Sequence, residues 1–538
     1  MRPTTAPRWY HVRLFVLPML LLLATLLPAF YVTPSYAQPT AAAAYVGDYS
    51  PNTRIEMRGS ELWFVRTPYE SALQPTTDGT YIFATGWLVG RQIKFVPNEA
   101  NGISILLQSD DGSWNEFARS GEIYDDLDPS LRAALAHMLE HEIEQRGLPA
   151  VTLYVHIPGQ GMWVGARGVS NRELGIPAVP LDRWRIASVS KVFLAVVVLQ
   201  LVDEGVITLD DSVERWLPGL VPNGHNITVR QLLNHTSGLY NYMNDYFISQ
   251  VLADRGRMWS PYELVAFANA YPPYFAPGQP ERWHYSNTNY VLLGLIVEHA
   301  TGLPLAQNIR SRISEPLGLY NTFYEPQETI PGSIMRGYLG NRDITSLNLS
   351  YAWGCGSMVS SAEDLGKFTR AMFRGTLLSP ERMQDMRSFV PVYGAWHARY
   401  LTYGLGLMHD RMGIAHAIDG QPRAEGLAWV DGHTGALAGY RSAMWYMPER
   451  GITIAVGLNQ MYTDANHITT AALNTILAYQ EQTGRISSPS DPDGRHRAAP
   501  TAHHSHVSRG CKQRGRRNER IAHAGDCTRT ISTERLSA

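Results

Sequence analysis

The sequence predicts an α+β protein preceded by a small all-β module, and three observations carry that expectation. Residues 46 to about 120 hold short β-rich runs at roughly ten-residue spacing. Residues 150–168 read as a hairpin, and a strand ending at Met447 turns at 448–451 into a second one over 452–459. Helical patterns follow Asp128 and Ser188, and a last one closes near Gln480.

Residues 1–37 read as an export signal. Arg2, Arg8 and Arg13 form a basic region, residues 14–32 are mostly apolar, and Ser35-Tyr36-Ala37 fits a small-x-small cleavage site before Gln38. The apolar run approaches spanning length, so an uncleaved anchor is the competing reading. Pro18 and Pro28 interrupt it and favour cleavage. No cysteine adjoins the cut, which argues against a lipid-modified N-terminus. The expected location is secreted or extracytoplasmic.

With 538 residues, 44% hydrophobic and 17% charged, the chain is globular with a sizeable core. A net charge of −2 offers nothing to a polyanion, and no nucleic-acid partner is expected. The segment 483–538 differs from the rest. From Arg485 it holds eleven Lys and Arg against five Asp and Glu, without periodicity, and reads as a disordered basic tail. Two of three cysteines, Cys511 and Cys527, lie there, so the fold is expected to rest on core size rather than disulfides. Cys355 reads as a small packed residue.

In the β module, assigned to 46–124, the runs 61–65, 81–83, 93–96 and 103–107 are separated by turn signals at 58–60, 78–79 and 110–112. They predict a meander or small barrel without a nucleophile–base pair. The second domain, 125–482, opens with Asp128 as N-cap and Pro129 at the first helical position, and Gly147 ends that helix. The helix contains His137-Met138-Leu139-Glu140-His141, a literal zinc-peptidase pattern. Ala134, Leu135, Met138 and Leu139 read as its core stripe, which leaves the histidines on a flanking or wet face. No third ligand is in place, so no metal and no cofactor is expected.

Chemistry enters at Ser188. Lys191 lies three residues on, ahead of an apolar helical run to Leu201, so the two side chains share one face. A serine hydroxyl needs an adjacent base, and a lysine in a dry pocket supplies one. His235 reads as structural. Tyr285 and Asn287, two apart before a helix start, project a phenol and a carboxamide into one space, with Asn287 as a helix cap the plainer reading. Residues 353–365 read as a glycine-rich turn and a capped helix, framework rather than a phosphate loop. His433-Thr434-Gly435 lies on a strand.

Ser-x-x-Lys, Tyr-x-Asn and His-Thr-Gly in this order, with framework stretches at 232–239 and 359–365, strongly resemble the serine β-lactamase and D-alanyl-D-alanine carboxypeptidase family, on its class C-like branch. The resemblance covers about 128–480. Tyr-Ser-Asn stands where related enzymes carry Ser-Asp-Asn, and histidine replaces the first lysine of Lys-Thr-Gly. The module, beginning Tyr45-Val46-Gly47-Asp48-Tyr49, is similar to small β modules that accompany such hydrolases, usually C-terminally. The resemblance implies an antiparallel sheet flanked by helices plus an all-helical subdomain, and it implies roles. Ser188 forms an acyl-enzyme. Lys191 and Tyr285 handle protons, Tyr285 with its pKa lowered by the Lys191 ammonium and serving as base for the hydrolytic water. Asn287 orients Lys191 and the substrate amide. His433 and Thr434 line the strand beside which substrate lies, Gly435 keeps that edge clear, and the N–H groups of Ser188 and Ala436 form the oxyanion hole.

The expected function is a secreted serine hydrolase acting on a D-alanyl peptide, a β-lactam or a related amide or ester. The alternative is a non-hydrolytic surface protein that binds cell-wall peptides or β-lactams. A metallopeptidase ranks last.

Overall fold

The computed structural model describes residues 47–484, except 51–52, 59–60, 67–68, 78–79, 86–88, 98–102, 109–113, 119–122, 126, 331, 394–399, 415, 418–419 and 421. The export signal, the basic tail and most of the module's turn signals lie outside the described residues. No helix among the described residues is long and apolar enough to cross a membrane.

The module is a meander of eight antiparallel strands, from Gly47–Ser50 to Trp114–Ala118, each paired with the next. Alternation buries one face: Ile55, Leu62, Phe64, Leu73, Phe83, Ile93 and Ile105 form its core, which Ile176 of the main domain joins. The short strand Ile123–Asp125 already pairs with the large sheet of the main domain.

Helix α1 (Pro129–Arg146) starts on the Asp128 cap, whose carboxylate accepts from the Ser130 N–H, and ends where Gly147 turns left-handed at φ 61°. Its buried stripe is Leu131, Leu135 and Leu139. Ala134, expected in that stripe, is exposed, because the 3.6-residue period that seats Leu131 turns position 134 outward. Strands β1 (Ala150–Ile157) and β2 (Gly161–Asn171) form the first hairpin. Helix α2 (Ser190–Asp203) is apolar all round and accordingly buried from Ser190 to Leu199. Helix α3 (Asn287–Thr301) and helix α4 (Ala362–Phe373), capped by the Ser361 hydroxyl, complete the inner helical layer. Strands β3 (Met408–Arg411), β4 (Trp429–Leu437), β5 (Tyr440–Met447) and β6 (Ile452–Leu458) precede the last helix α5 (Ala465–Gln482).

The strands assemble in the order β2-β1-β6-β5-β4-β3, antiparallel throughout. Helices α1 and α5 cover one face, where Leu131, Leu135 and Leu139 share a core with Ile468, Leu473 and Ile476. Helices α2, α3 and α4 lie on the other, within the larger core. This is the expected α+β architecture, module included. A second, small sheet pairs Arg183–Arg185 with Met358–Ser361 and delivers the chain to Ser188.

Candidate active site

Ser188 sits in a 3-10 turn, Ala187–Val189, at the head of α2 rather than within that helix. Ala187 is held at φ 51°, a left-handed conformation unusual for alanine. The surroundings over-determine it. Ser190 Oγ donates to the Ala187 carbonyl at 2.7 Å, Ser442 Oγ donates to the Ile186 carbonyl at 2.6 Å, and the Ile186 N–H reaches Met358 O at 2.9 Å.

Lys191, one turn on, is fully buried. Its ammonium donates to Ser188 Oγ at 3.0 Å, Asn287 Oδ1 at 2.8 Å and the Cys355 carbonyl at 2.7 Å. Burial pulls its pKa down to about 8. Asn287 is the first residue of α3, yet its side chain does not cap that helix. Its Oδ1 faces Lys191, while its Nδ2 donates to Asn241 Oδ1 at 3.2 Å. Both ends of the amide are thus engaged within the protein.

Tyr285 hydrogen-bonds with the Ser188 hydroxyl, and the Lys191 nitrogen lies over its ring, 4.8 Å from the centroid. The expected lowering of its pKa is overturned. Burial pushes the phenol well above its ordinary value, and the Ser188 hydrogen bond offsets that only in part. The group that titrates near neutrality is Lys191.

His433 lies fully buried on β4. Its Nε2 bonds with Tyr403 OH at 2.9 Å and its Nδ1 with the Thr434 carbonyl at 2.5 Å. Burial and the Lys191 charge pull it down to about 3, so it is neutral. Strand β3 pairs β4 only as far as Gly432, so Thr434, Gly435 and Ala436 run on beyond that partner toward Ser188. Gly435 is needed on the inner side rather than the outer edge. A Cβ there would lie 2.3 Å from the Ile186 carbonyl and 2.2 Å from Ser442 Oγ. Ala436 lines the same cavity as Ser188, Tyr285 and Asn287.

The structure therefore gathers Ser188, Tyr285, Asn287 and Ala436 around one cavity, with Lys191 buried behind Ser188 and Asn287. Three participants escaped the sequence reading. The Cys355 carbonyl is invisible to side-chain motifs, although the glycines flanking it were a signal: a Cβ on Gly354 would press 2.5 Å from the Tyr290 carbonyl. Asn241 and Tyr403 left no pattern at all. His235 is structural, as read: its Nδ1 accepts from Ser286 N and contacts Asn289 Nδ2, and its ring packs against Tyr285 and Tyr403. On α1, Glu140 pairs with Arg167, and no group of three metal-ligating side chains occurs among the described residues.

A mixed sheet-and-helix domain with a serine at the head of a buried helix and a lysine one turn behind it defines the β-lactamase/transpeptidase-like class of fold. The chain belongs to the β-lactamase family, whose model ("Beta-lactamase") matches residues 135–478. Penicillin-binding protein 4* of Bacillus subtilis (strain 168) is 30% identical over 241 residues, 41% of this chain and 51% of that protein. Esterase EstB of Burkholderia gladioli is 35% identical over 204 residues, 35% and 50% of the two chains. The chain spans about half the length of these curated relatives. Among solved structures, a D-stereospecific amidohydrolase from Streptomyces sp. is 35% identical with a TM-score of 0.55, over 63% of this chain and 98% of that one. The D-amino acid amidase from Ochrobactrum anthropi SV3, complexed with L-phenylalanine amide, is 28% identical with a TM-score of 0.57, over 66% and 99%.

Proposed function

We propose that the protein is a serine hydrolase that forms an acyl-enzyme through Ser188 and turns over small amides or esters. The observation that carries this is the buried Lys191, 3.0 Å from Ser188 Oγ, with its pKa near 8. At neutral pH about a tenth of the molecules then hold a neutral lysine able to take the serine proton. Ser188 Oγ bonds to the carbonyl carbon as its proton passes to Lys191. The tetrahedral intermediate collapses, and the leaving amine or alcohol departs with that proton, relayed through Tyr285. Water then adds to the acyl carbon, gives its proton to the same pair, and Ser188 leaves reprotonated. Tyr285 serves as relay and acid, since burial keeps its proton in place. The N–H groups of Ser188 and Ala436 would hold the oxyanion, a single donor contributing on the order of 3 kcal/mol to the barrier.

A fluorophosphonate should label the wild type covalently and leave Ser188→Ala unlabelled. Equal labelling of both overturns the reading. Saturable peptide or penicillin binding that survives Ser188→Ala, with no turnover of any ester or amide, would instead establish the non-hydrolytic alternative. D-alanyl peptides and β-lactams enter the candidate substrates by resemblance. We also propose, from residues 1–37, that the protein is exported, which N-terminal sequencing of the exported chain checks by a start at Gln38.

A further inference from the structure

The cavity beside Ser188 is apolar almost throughout. Ile248, Val251 and Leu252 come from the helix Asp245–Ala253, and Leu339, Leu347 and Met461 close it from loops and a short strand. Ser188, Tyr285 and Asn287 supply polar side-chain atoms that already bond to one another or to Lys191 and Asn241, and the Tyr351 phenol and the Cys355 thiol add two neutral groups. No Asp, Glu, Lys, Arg or His lines it among the described residues.

A substrate carboxylate placed there would lose its water and gain no cation. Lys191 is the nearest ammonium, but its three donors are committed to Ser188, Asn287 and Cys355, and its chemistry requires it neutral. Relatives with Lys-Thr-Gly present a second ammonium at the position of His433. Here that side chain is neutral, fully buried, and has both ring nitrogens occupied. A buried charge left without a partner is strongly disfavoured, whereas a branched or aromatic hydrocarbon gains by leaving water.

We propose that the site selects uncharged amides and esters carrying a branched aliphatic or aromatic group next to the scissile bond, and rejects substrates with a free carboxylate there. This places carboxylate-terminated D-alanyl peptides among its poor substrates. The inference rests on the serine-hydrolase reading.

Two matched pairs test it on the full-length protein. One is p-nitrophenyl valerate against mono-p-nitrophenyl succinate, where the charge lies on the acyl side. The other is acetyl-D-Ala-D-alaninamide against acetyl-D-Ala-D-Ala, where it lies on the leaving group. The neutral member should lead in kcat/KM by about tenfold or more in at least one pair and trail in neither. Any other pattern overturns the proposal. Leu339→Arg, which puts a guanidinium at the cavity wall, should narrow the gap by about tenfold. An unchanged gap in a variant that still labels with fluorophosphonate removes this cavity as its source. Wild type that takes no fluorophosphonate at Ser188 fails the hydrolase reading itself, a result separate from any order of preference.

Discussion

Lys191 carries two opposed demands. Burial weakens its hold on a proton, while Asn287 Oδ1 and the Cys355 carbonyl stabilise the protonated form, and the outcome is a pKa near 8 instead of 10.5. The base is the neutral amine, so lowering the pH removes it. The rate constant kcat/KM should therefore level off above about pH 8 and fall about tenfold for each unit below pH 7. Asn287→Ala removes one acceptor from the ammonium. A hydrogen bond to a charged group contributes about 1.5–3 kcal/mol, so the acidic limb should move down by roughly one unit while kcat falls. A limb that stays in place would show that Asn287 only packs. Ser188 and Lys191 were legible in the sequence because i, i+3 spacing brings side chains together whether the turn is α or 3-10. The ionisation of Tyr285 was not, because it depends on how completely the folded chain buries the phenol.

The decisive element is the contact between β4 and the turn that bears Ser188. Gly435 lets the strand pass within van der Waals reach of the Ile186 carbonyl, and Ser442, opposite it on β5, donates to that same oxygen. Gly435→Ala should displace the strand from Ser188 and cut fluorophosphonate labelling by about 100-fold, with strain of about 1–3 kcal/mol in a still cooperative melt. Labelling at the wild-type rate would remove Gly435 from the machinery. His-Thr-Gly could be read from the sequence as a strand, and its glycine as a place of close approach. Which side the approach came from could not, since that is set by a turn some 250 residues earlier.

At the scale of the molecule, the β module is tied to the strand that leads into Ser188. The Glu56 carboxylate accepts from Ser333 N at 2.9 Å and Arg58 Nε at 2.7 Å, and lies 4.0 Å from the buried Arg183, while Arg54 faces Asp182 at 3.5 Å. Arg54 and Arg58 both disfavour the charge on Arg183, which burial already draws down to about 10. Glu56→Ala would remove one of the two carboxylates that favour the charge on Arg183, while Arg54 and Arg58, paired with Asp182 and Glu70, still oppose it. Breaking a buried pair typically costs about 3–5 kcal/mol, so the melting temperature should drop by roughly 6–20 °C. Because Arg183 begins the strand Arg183–Arg185, just ahead of the Ser188 turn, activity should fall with it. Unchanged melting and turnover would make the module an independent appendage.

The sequence by itself determined the elements and their order: the capped α1, the two hairpins, the buried α2, four of the module's eight strands, and Ser188, Lys191, Tyr285 and Asn287, which meet at the site. Local periodicity, caps and glycines encode these, because each acts within a few residues. Only the tertiary structure decided the rest. It enlisted the Cys355 carbonyl and Asn241, kept Tyr285 protonated, neutralised His433, and walled the cavity with hydrocarbon. Those outcomes depend on desolvation and on contacts between segments tens to hundreds of residues apart, and no window of sequence contains them.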